Sequence, residues 1–136
     1  MDLPATRSGR ALVLVVDDEP TLRVVLCRFL KAWGYRAAEA GDGVAALQIA
    51  RELQQELRLI VTDIDMPRCN GLALAEQLLA LDASVPILFI TGVGSPEVYA
   101  RAKPLGEVLE KPFTPAAFDA AVRRALSAGR VRREPA

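Results

Sequence analysis

Four short stretches of the chain end in side chains able to act together on one substrate. Asp17, Asp18 and Glu19 follow the apolar run Leu12 to Val16, and Asp63 follows Leu59 to Val61, opening the loop D-I-D-M-P-R-C-N-G with Asp65, Met66, Pro67 and Gly71. Thr91 closes Ile87 to Ile90 ahead of Gly92, and Lys111 stands between Glu107 to Leu109 and Pro112. If the first and second of these runs are neighbours, Asp18 and Asp63 approach closely, and carboxylates roughly 4 Å apart repel by about 4 kcal/mol at an effective dielectric of about 20. A divalent cation reverses that penalty. Mg²⁺ suits the site because it takes one or two carboxylates, keeps several waters and completes its shell with phosphate oxygens. The chemistry suggested is therefore phosphoryl transfer, with a hydroxyl and an ammonium at the same edge to meet phosphoryl oxygens.

Each residue alone has an ordinary explanation. Acidic residues ahead of a helix favour its N-terminus and Asp is a good cap. Thr91 reads equally as a strand-end residue, and Lys111 as a surface lysine with its stem packed down. The order is what carries weight: acidic pair, single Asp, Thr, Lys, each at the end of an apolar run and spaced by one structural unit.

The elements that must position these groups follow from hydrophobic period. The apolar runs are too short for helices and end in polar or Gly/Pro residues, as buried parallel strands do. A weaker strand is expected at Tyr35 to Ala38. Between the strands, Leu22, Val25, Leu26, Phe29, Leu30 and Trp33 recur at helical spacing, with Gly34 as a stop. Further helices are expected over about 43–53 and 71–81, a short one over 96–102 before Pro104, and a last one capped by Thr114 and opened by Pro115. Five strands alternating with five helices predict an α/β fold, a doubly wound parallel sheet covered on both faces by right-handed crossovers, with ligands beyond the strands' carboxyl ends. Residues 1–10 and 129–136 read as flexible ends around one domain at 11–128, and the basic tail Arg130, Arg132, Arg133 as solvated.

Composition narrows the function. Half of the 136 residues are apolar, enough for one core, and 17 basic residues balance 17 acidic ones, so no broad basic surface points to nucleic acid or acidic lipid. With no histidine in the chain, Ser-His-Asp and Cys-His catalysis and His-ligated metals are excluded. Cys27 and Cys69 form no C-x-x-C pair, no signal-peptide core opens the chain and no apolar run reaches the ~18 residues of a membrane span. A cytoplasmic protein with reduced thiols is the expectation, Cys27 as a helix packing residue and Cys69 as a small hydrophobe.

The segments V-V-D-D-E-P, T-D-I-D-M-P-R-C-N-G, I-L-F-I-T-G and E-K-P-F resemble the receiver domain of bacterial two-component response regulators, over about Leu12 to Leu126. The resemblance implies a flavodoxin-like sheet of strand order 2-1-3-4-5. It makes Asp63 the acceptor of a phosphoryl group from a sensor histidine kinase or histidine phosphotransfer protein, in a Mg²⁺-dependent reaction in which Mn²⁺ can substitute. Asp18 becomes a direct metal ligand, Asp17 a ligand or a partner through water, and the Asp65 backbone carbonyl the last protein ligand. Lys111 balances phosphoryl charge and Thr91 hydrogen-bonds the phosphorylated form, so the domain catalyses only its own phosphorylation and dephosphorylation.

Three features depart from that pattern. Val108 stands where the family usually has an aromatic, three residues before the lysine; Gly92 replaces a side chain that often shields the acyl phosphate; and the Gly92, Val93, Gly94, Ser95, Pro96 run with Pro104 shortens the fourth helix. A monomer or weak dimer is expected, with ordering of this loop as the switch. No output domain follows the fifth helix, which suits a stand-alone receiver or one cut from a larger hybrid kinase or regulator. Rival readings are a haloacid-dehalogenase-type phosphatase using Asp63 and Asp65, a pseudo-receiver that binds partners without phosphorylation, and a nucleotide-binding module, the last weakened by the missing third glycine after Gly92-Val93-Gly94.

Overall fold

The computed structural model describes residues 10–66, 71–81, 84–92 and 96–133. Pro67 and Cys69, Val93 to Ser95 and residues 1–9 lie outside the described residues. Five strands and five helices alternate: β1 (Leu12–Val16), α1 (Pro20–Ala32), β2 (Arg36–Ala40), α2 (Gly43–Glu52), β3 (Leu57–Asp63), α3 (Gly71–Leu81), β4 (Ile87–Thr91), α4 (Pro96–Ala102), β5 (Glu107–Glu110) and α5 (Pro115–Arg133). All strand pairs are parallel, in the order β2-β1-β3-β4-β5.

Strand alternation sorts the apolar side chains into two layers. Leu12, Leu14, Val16, Ile60, Ile87 and Phe89 face α2, α3 and α4, while Val13, Val15, Leu59, Val61, Leu88 and Ile90 face α1 and α5. The central strands β1, β3 and β4 are therefore apolar on both faces, and all five residues of β1 and of β4 are buried. Edge strand β2, with the sequence RAAEA, starts one residue later and runs two residues further than the apolar pattern suggests, because its main chain follows β1 in register from Leu12↔Arg36 to Val16↔Ala40.

Helix α1 ends in a Schellman arrangement: Gly34 adopts φ 96°, its N–H reaches the Lys31 carbonyl at 3.1 Å and the Tyr35 N–H reaches the Leu30 carbonyl at 2.9 Å. Leu26, Cys27 and Leu30 are its buried residues, and Val25 is 39% exposed. Val25 and Cys27 flank Leu26 by about 100° on opposite sides; packing buries Cys27, as expected, and leaves Val25, expected inward, at the rim. Stacked Phe29 and Trp33, with ring centroids 5.6 Å apart, tie α1 to Phe118 of α5 through Trp33 at 5.8 Å.

Helix α5 is capped as its sequence suggests, the Thr114 hydroxyl accepting from the Ala117 N–H at 3.0 Å. It continues to Arg133, so residues 129–133 are helical where a flexible tail is expected. A single Gly129 costs only about 1 kcal/mol in a helix and the arginines favour one. Among the described residues no helix is long and apolar enough to cross a membrane.

Candidate functional site

The strand order reverses direction at β1 and β3, and a crevice opens beyond their carboxyl ends at that point. Register decides what fills it. Val16 lies opposite Thr62, which sets Asp17 beside Asp63, and Asp63 lies opposite Ile90, which sets Thr91 one residue beyond it. Thr91 lies opposite Glu110, with Lys111 next in the chain, and the Lys111 N–H donates to the Thr91 carbonyl at 2.7 Å. The buried polar residues Asp17, Asp63 and Thr91 are 1%, 4% and 2% exposed, in contrast to the apolar interior around them.

One carboxylate oxygen from each of Asp17, Asp18 and Asp63 lies within 4.8 Å of the others. Asp17 is held by its own turn, its Oδ1 accepting from the Glu19 N–H at 2.9 Å, and by Arg23, whose Nη1 donates to the Asp17 carbonyl at 2.6 Å. The same guanidinium donates through Nε to Glu39 Oε1 at 3.0 Å, which joins α1 to the end of β2 across the acidic turn. Burial pushes the Asp17 carboxyl above the usual carboxylate range; the Glu19 N–H opposes that, the neighbouring Asp63 charge adds to it, and Lys111 offsets part of it. The site is thus short of positive charge.

Asp63 is anchored on both oxygens. Oδ1 accepts from the Asp65 N–H at 2.9 Å, and Oδ2 faces Lys111 Nζ at 3.4 Å. Lys111 is 34% exposed, so water screens much of this pair and it contributes little to stability. Behind the carboxylate, α3 begins against the main chain: a Cβ on Gly71 would sit 2.5 Å from the Asp63 carbonyl oxygen and 2.9 Å from Ile64 Cα, so no larger residue fits there without moving the acceptor loop. The Gly71 N–H bonds the Ile64 carbonyl at 3.0 Å.

Asp65 behaves differently from its sequence neighbour. Its Oδ2 accepts from the Gly92 N–H at 2.9 Å and from the Thr91 hydroxyl at 3.3 Å. Thr91 therefore donates to Asp65 in this arrangement, not to Asp63.

The donor set is all hard oxygen with several negative charges, which fits Mg²⁺ and excludes a soft-metal site. Among the described residues the acidic cluster is Asp17, Asp18 and Asp63; Asp65 can add only its main-chain carbonyl while its carboxylate is engaged with Thr91 and Gly92.

The fold and this arrangement define a response regulator receiver domain: residues 13–123 match that family, and the chain belongs to it. It is 36% identical over 110 residues to the sensor kinase CckA of Brucella abortus, covering 79% of this chain and 12% of that protein. It is 37% identical over 126 residues to the C4-dicarboxylate transport transcriptional regulatory protein DctD of Pseudomonas aeruginosa, covering 88% of this chain and 26% of that one. Among solved structures, the chemotaxis protein CheY4 of Vibrio cholerae superimposes with a TM-score of 0.77 at 30% identity, covering 85% of this chain and 98% of that one. The chain spans only 7% to 26% of the length of the curated relatives it matches, which include both sensor kinases and transcriptional regulatory proteins. Receiver domains of this family are signalling switches that interact with histidine kinases and generally bind Mg²⁺ in an acidic pocket.

The structure brings Asp17, Asp18, Asp63 and Lys111 together and places Thr91 and Asp65 at the same edge, facing each other. Two features escaped sequence reading. Arg23 carried a signal, since a cation in the first turn of a helix opposes the dipole and calls for a tertiary partner. The contact between Asp65 and Thr91 carried none, because nothing local couples positions 26 residues apart. Cys27 is buried, with its thiol pushed up to about 11 by burial, which keeps it protonated at neutral pH and in the packing role expected for it.

Proposed function

We propose that this domain accepts a phosphoryl group on Asp63 from a phosphohistidine of a sensor histidine kinase or histidine phosphotransfer protein, and that its own side chains catalyse the transfer in the cytoplasm. The observation that carries this reading is a buried carboxylate, Asp63, set 3.4 Å from an ammonium and within 4.8 Å of two further carboxylates at a parallel sheet's carboxyl edge. An Asp63 oxygen attacks phosphorus, the new O–P bond forms as the donor's P–N bond breaks, and the electron pair leaves with the imidazole. No histidine in this chain is available as donor.

Asp18 and Asp63 would hold Mg²⁺ with the Asp65 carbonyl, Asp17 binding directly or through water; Mn²⁺ would fit the same oxygens. When bound, the ion supplies charge neutralisation that lets an anionic acceptor meet an anionic phosphoryl group. Lys111 lies against Asp63 Oδ2 and meets the charge that develops on the transferred oxygens. The Asp65 N–H fixes Asp63 Oδ1, so the carboxylate is oriented before the donor arrives.

A phosphatase reading would need Asp65 as acid/base beside Asp63, but its carboxylate is taken up by Thr91 and Gly92. A pseudo-receiver reading would leave the acidic cluster without a role.

The test is incubation with a small phosphodonor and Mg²⁺ followed by intact mass. One phosphoryl group is expected on the wild-type chain and none on Asp63→Asn. Equal labelling of the two, or multiple turnover on a phosphomonoester, overturns the reading.

A further inference from the structure

A guanidinium beside a cluster that collects a divalent cation is out of place on charge alone, yet Arg23 donates through Nη1 to the Asp17 carbonyl at 2.6 Å. Its Nε donates to Glu39 Oε1 at 3.0 Å, on edge strand β2. A Cβ on Gly41 would lie 3.3 Å from Nη1, so the turn after β2 closes tightly over the guanidinium. The Asp17 N–H bonds the Ala40 carbonyl at 3.1 Å. Both main-chain groups of Asp17 therefore lead to β2, one directly and one through Arg23.

We propose that Glu39 and Arg23 are positioning residues that form a clamp for the metal site: Glu39 fixes and neutralises the guanidinium, and Arg23, through the Asp17 carbonyl, sets the peptide that presents Asp18 to Mg²⁺. The inference rests on the reading of Asp17, Asp18 and Asp63 as the Mg²⁺ site.

Asp18 needs such a device. The Asp17 carboxylate accepts from the Glu19 N–H, and Asp63 is anchored on both oxygens. Asp18 is exposed, and among the described residues its carboxylate accepts no hydrogen bond, so its direction is set by the peptide that joins it to Asp17. A charge-assisted bond to the carbonyl of that peptide resists its rotation. Mg²⁺ demands near-ideal octahedral geometry, so a ligand that swings loses affinity. Glu39 serves the clamp in two ways. An arginine side chain carries about 2 kcal/mol of rotamer entropy, and an anchor on Nε selects the rotamer that reaches Asp17. The same carboxylate cancels a charge that, unpaired, would repel the ion or turn toward the carboxylates the ion needs.

The test is Mg²⁺ titration of wild type, Arg23→Ala, Glu39→Ala, Glu39→Gln and the Arg23→Ala/Glu39→Ala pair, with the Asp18 amide followed by NMR in the metal-free chains. Charge alone predicts that removal of Arg23 tightens Mg²⁺ binding. The clamp predicts the opposite sign, a loss of about tenfold, as for a group that orients a metal ligand. Glu39→Ala is expected to lose about two- to fivefold, the size of an exposed ion pair. Glu39→Gln keeps an acceptor for Nε and should lose less than half as much in logarithmic terms. In the Arg23→Ala background Glu39→Ala should likewise show less than half of its loss, because a residue that acts through another has no route left. The Asp18 amide should move in Arg23→Ala and part of the same way in Glu39→Ala. At saturating Mg²⁺, beryllofluoride, a stand-in for the phosphoryl group, should bind all of these chains as it binds wild type.

Tighter Mg²⁺ binding by Arg23→Ala, equal losses in Glu39→Gln and Glu39→Ala, an undiminished Glu39→Ala loss in the Arg23→Ala background, an unmoved Asp18 amide or weaker beryllofluoride binding at saturating Mg²⁺ overturns the clamp while leaving the cluster as the metal site. Binding of Mg²⁺ by Asp18→Asn as tightly as by wild type overturns the metal site itself.

Discussion

At the ends of β1 and β3 the two buried carboxylates, Asp17 and Asp63, are each held by a main-chain N–H, whereas at the ends of β4 and β5 Thr91, Gly92 and Lys111 meet side-chain carboxylates. Asp17 and Asp63 adjoin because Val16 pairs with Thr62, and each is then fixed by an N–H two residues on, from Glu19 and from Asp65. Thr91 and Gly92 instead depend on one exposed carboxylate, and Lys111 reaches Asp63 across a 3.4 Å gap open to water. Helix α4 and strand β5 follow suit. Helix α4 buries only Ala102 fully and β5 is four half-buried or exposed residues, against Leu26, Cys27 and Leu30 on α1 and Phe118, Ala121, Val122 and Ala125 on α5. The difference separates a well-buried half that carries the acidic cluster from a less buried half on the other side of Asp63.

If that division is right, substitutions on the two sides should differ in kind. The largest effect is expected at Asp18: replacing it with Asn removes one unit of charge from the cluster and should weaken Mg²⁺ binding by roughly ten- to a hundredfold, read by titration of the metal. An unchanged affinity would mean that the acidic triplet is not the metal site.

Lys111→Gln should split the two ligands. Removing a cation that competes for Asp63 is expected to tighten Mg²⁺ binding while weakening beryllofluoride by about tenfold, because the ammonium opposes the ion and attracts the phosphoryl group. Movement of both affinities in the same direction would show that Lys111 acts through folding rather than through charge.

Arg23→Ala is a smaller perturbation of the well-buried half. Loss of the bond to the Asp17 carbonyl should loosen the acidic turn and cost about tenfold in Mg²⁺ affinity, the lower end for a group that orients a ligand, with little change in phosphodonor chemistry at saturating metal.

The smallest effect concerns stability. Asp17 has a raised folded-state pKa, so between its unfolded and folded values the native state holds more protons, and its contribution to stability falls as pH rises through that window. Asp17→Asn keeps the oxygen that accepts from Glu19 and removes the charge, so in chelator at neutral pH it should melt a few degrees higher than wild type. The advantage should disappear below the acidic window and in excess Mg²⁺. A lower melting temperature in chelator would show that the Asp17 charge stabilises the metal-free fold.

The same contrast explains what the sequence made readable. Strands β1, β3 and β4 announce themselves because both faces are buried and their apolar runs are continuous, and residues placed just past those runs must emerge at one edge. Asp17, Asp63 and Thr91 could be named for that reason, and Lys111 from the shorter, half-buried run of β5. Edge strand β2 was misjudged at both ends because RAAEA owes its conformation to pairing with β1 and not to its own pattern. On α1, Val25 was misjudged as inward while Cys27 packs as expected, because periodicity gives a stripe and only packing gives its tilt. The Asp65 contact with Thr91 and Gly92 was invisible, being a single long-range choice of rotamer. Features written by continuous apolar runs can be read from one sequence, and features written by an edge strand's pairing or by one side chain finding another need coordinates.

The central claim is that separated residues converge on one hard cation beside the acceptor, and a crystal structure of the chain with Mg²⁺ and beryllofluoride tests it most directly. The account predicts one ion at about 2.0–2.1 Å from oxygens of Asp18, Asp63 and the Asp65 carbonyl, with beryllofluoride on Asp63 and Lys111 against it. An ion bound elsewhere, or beryllofluoride absent from Asp63 with the ion in place, would contradict it.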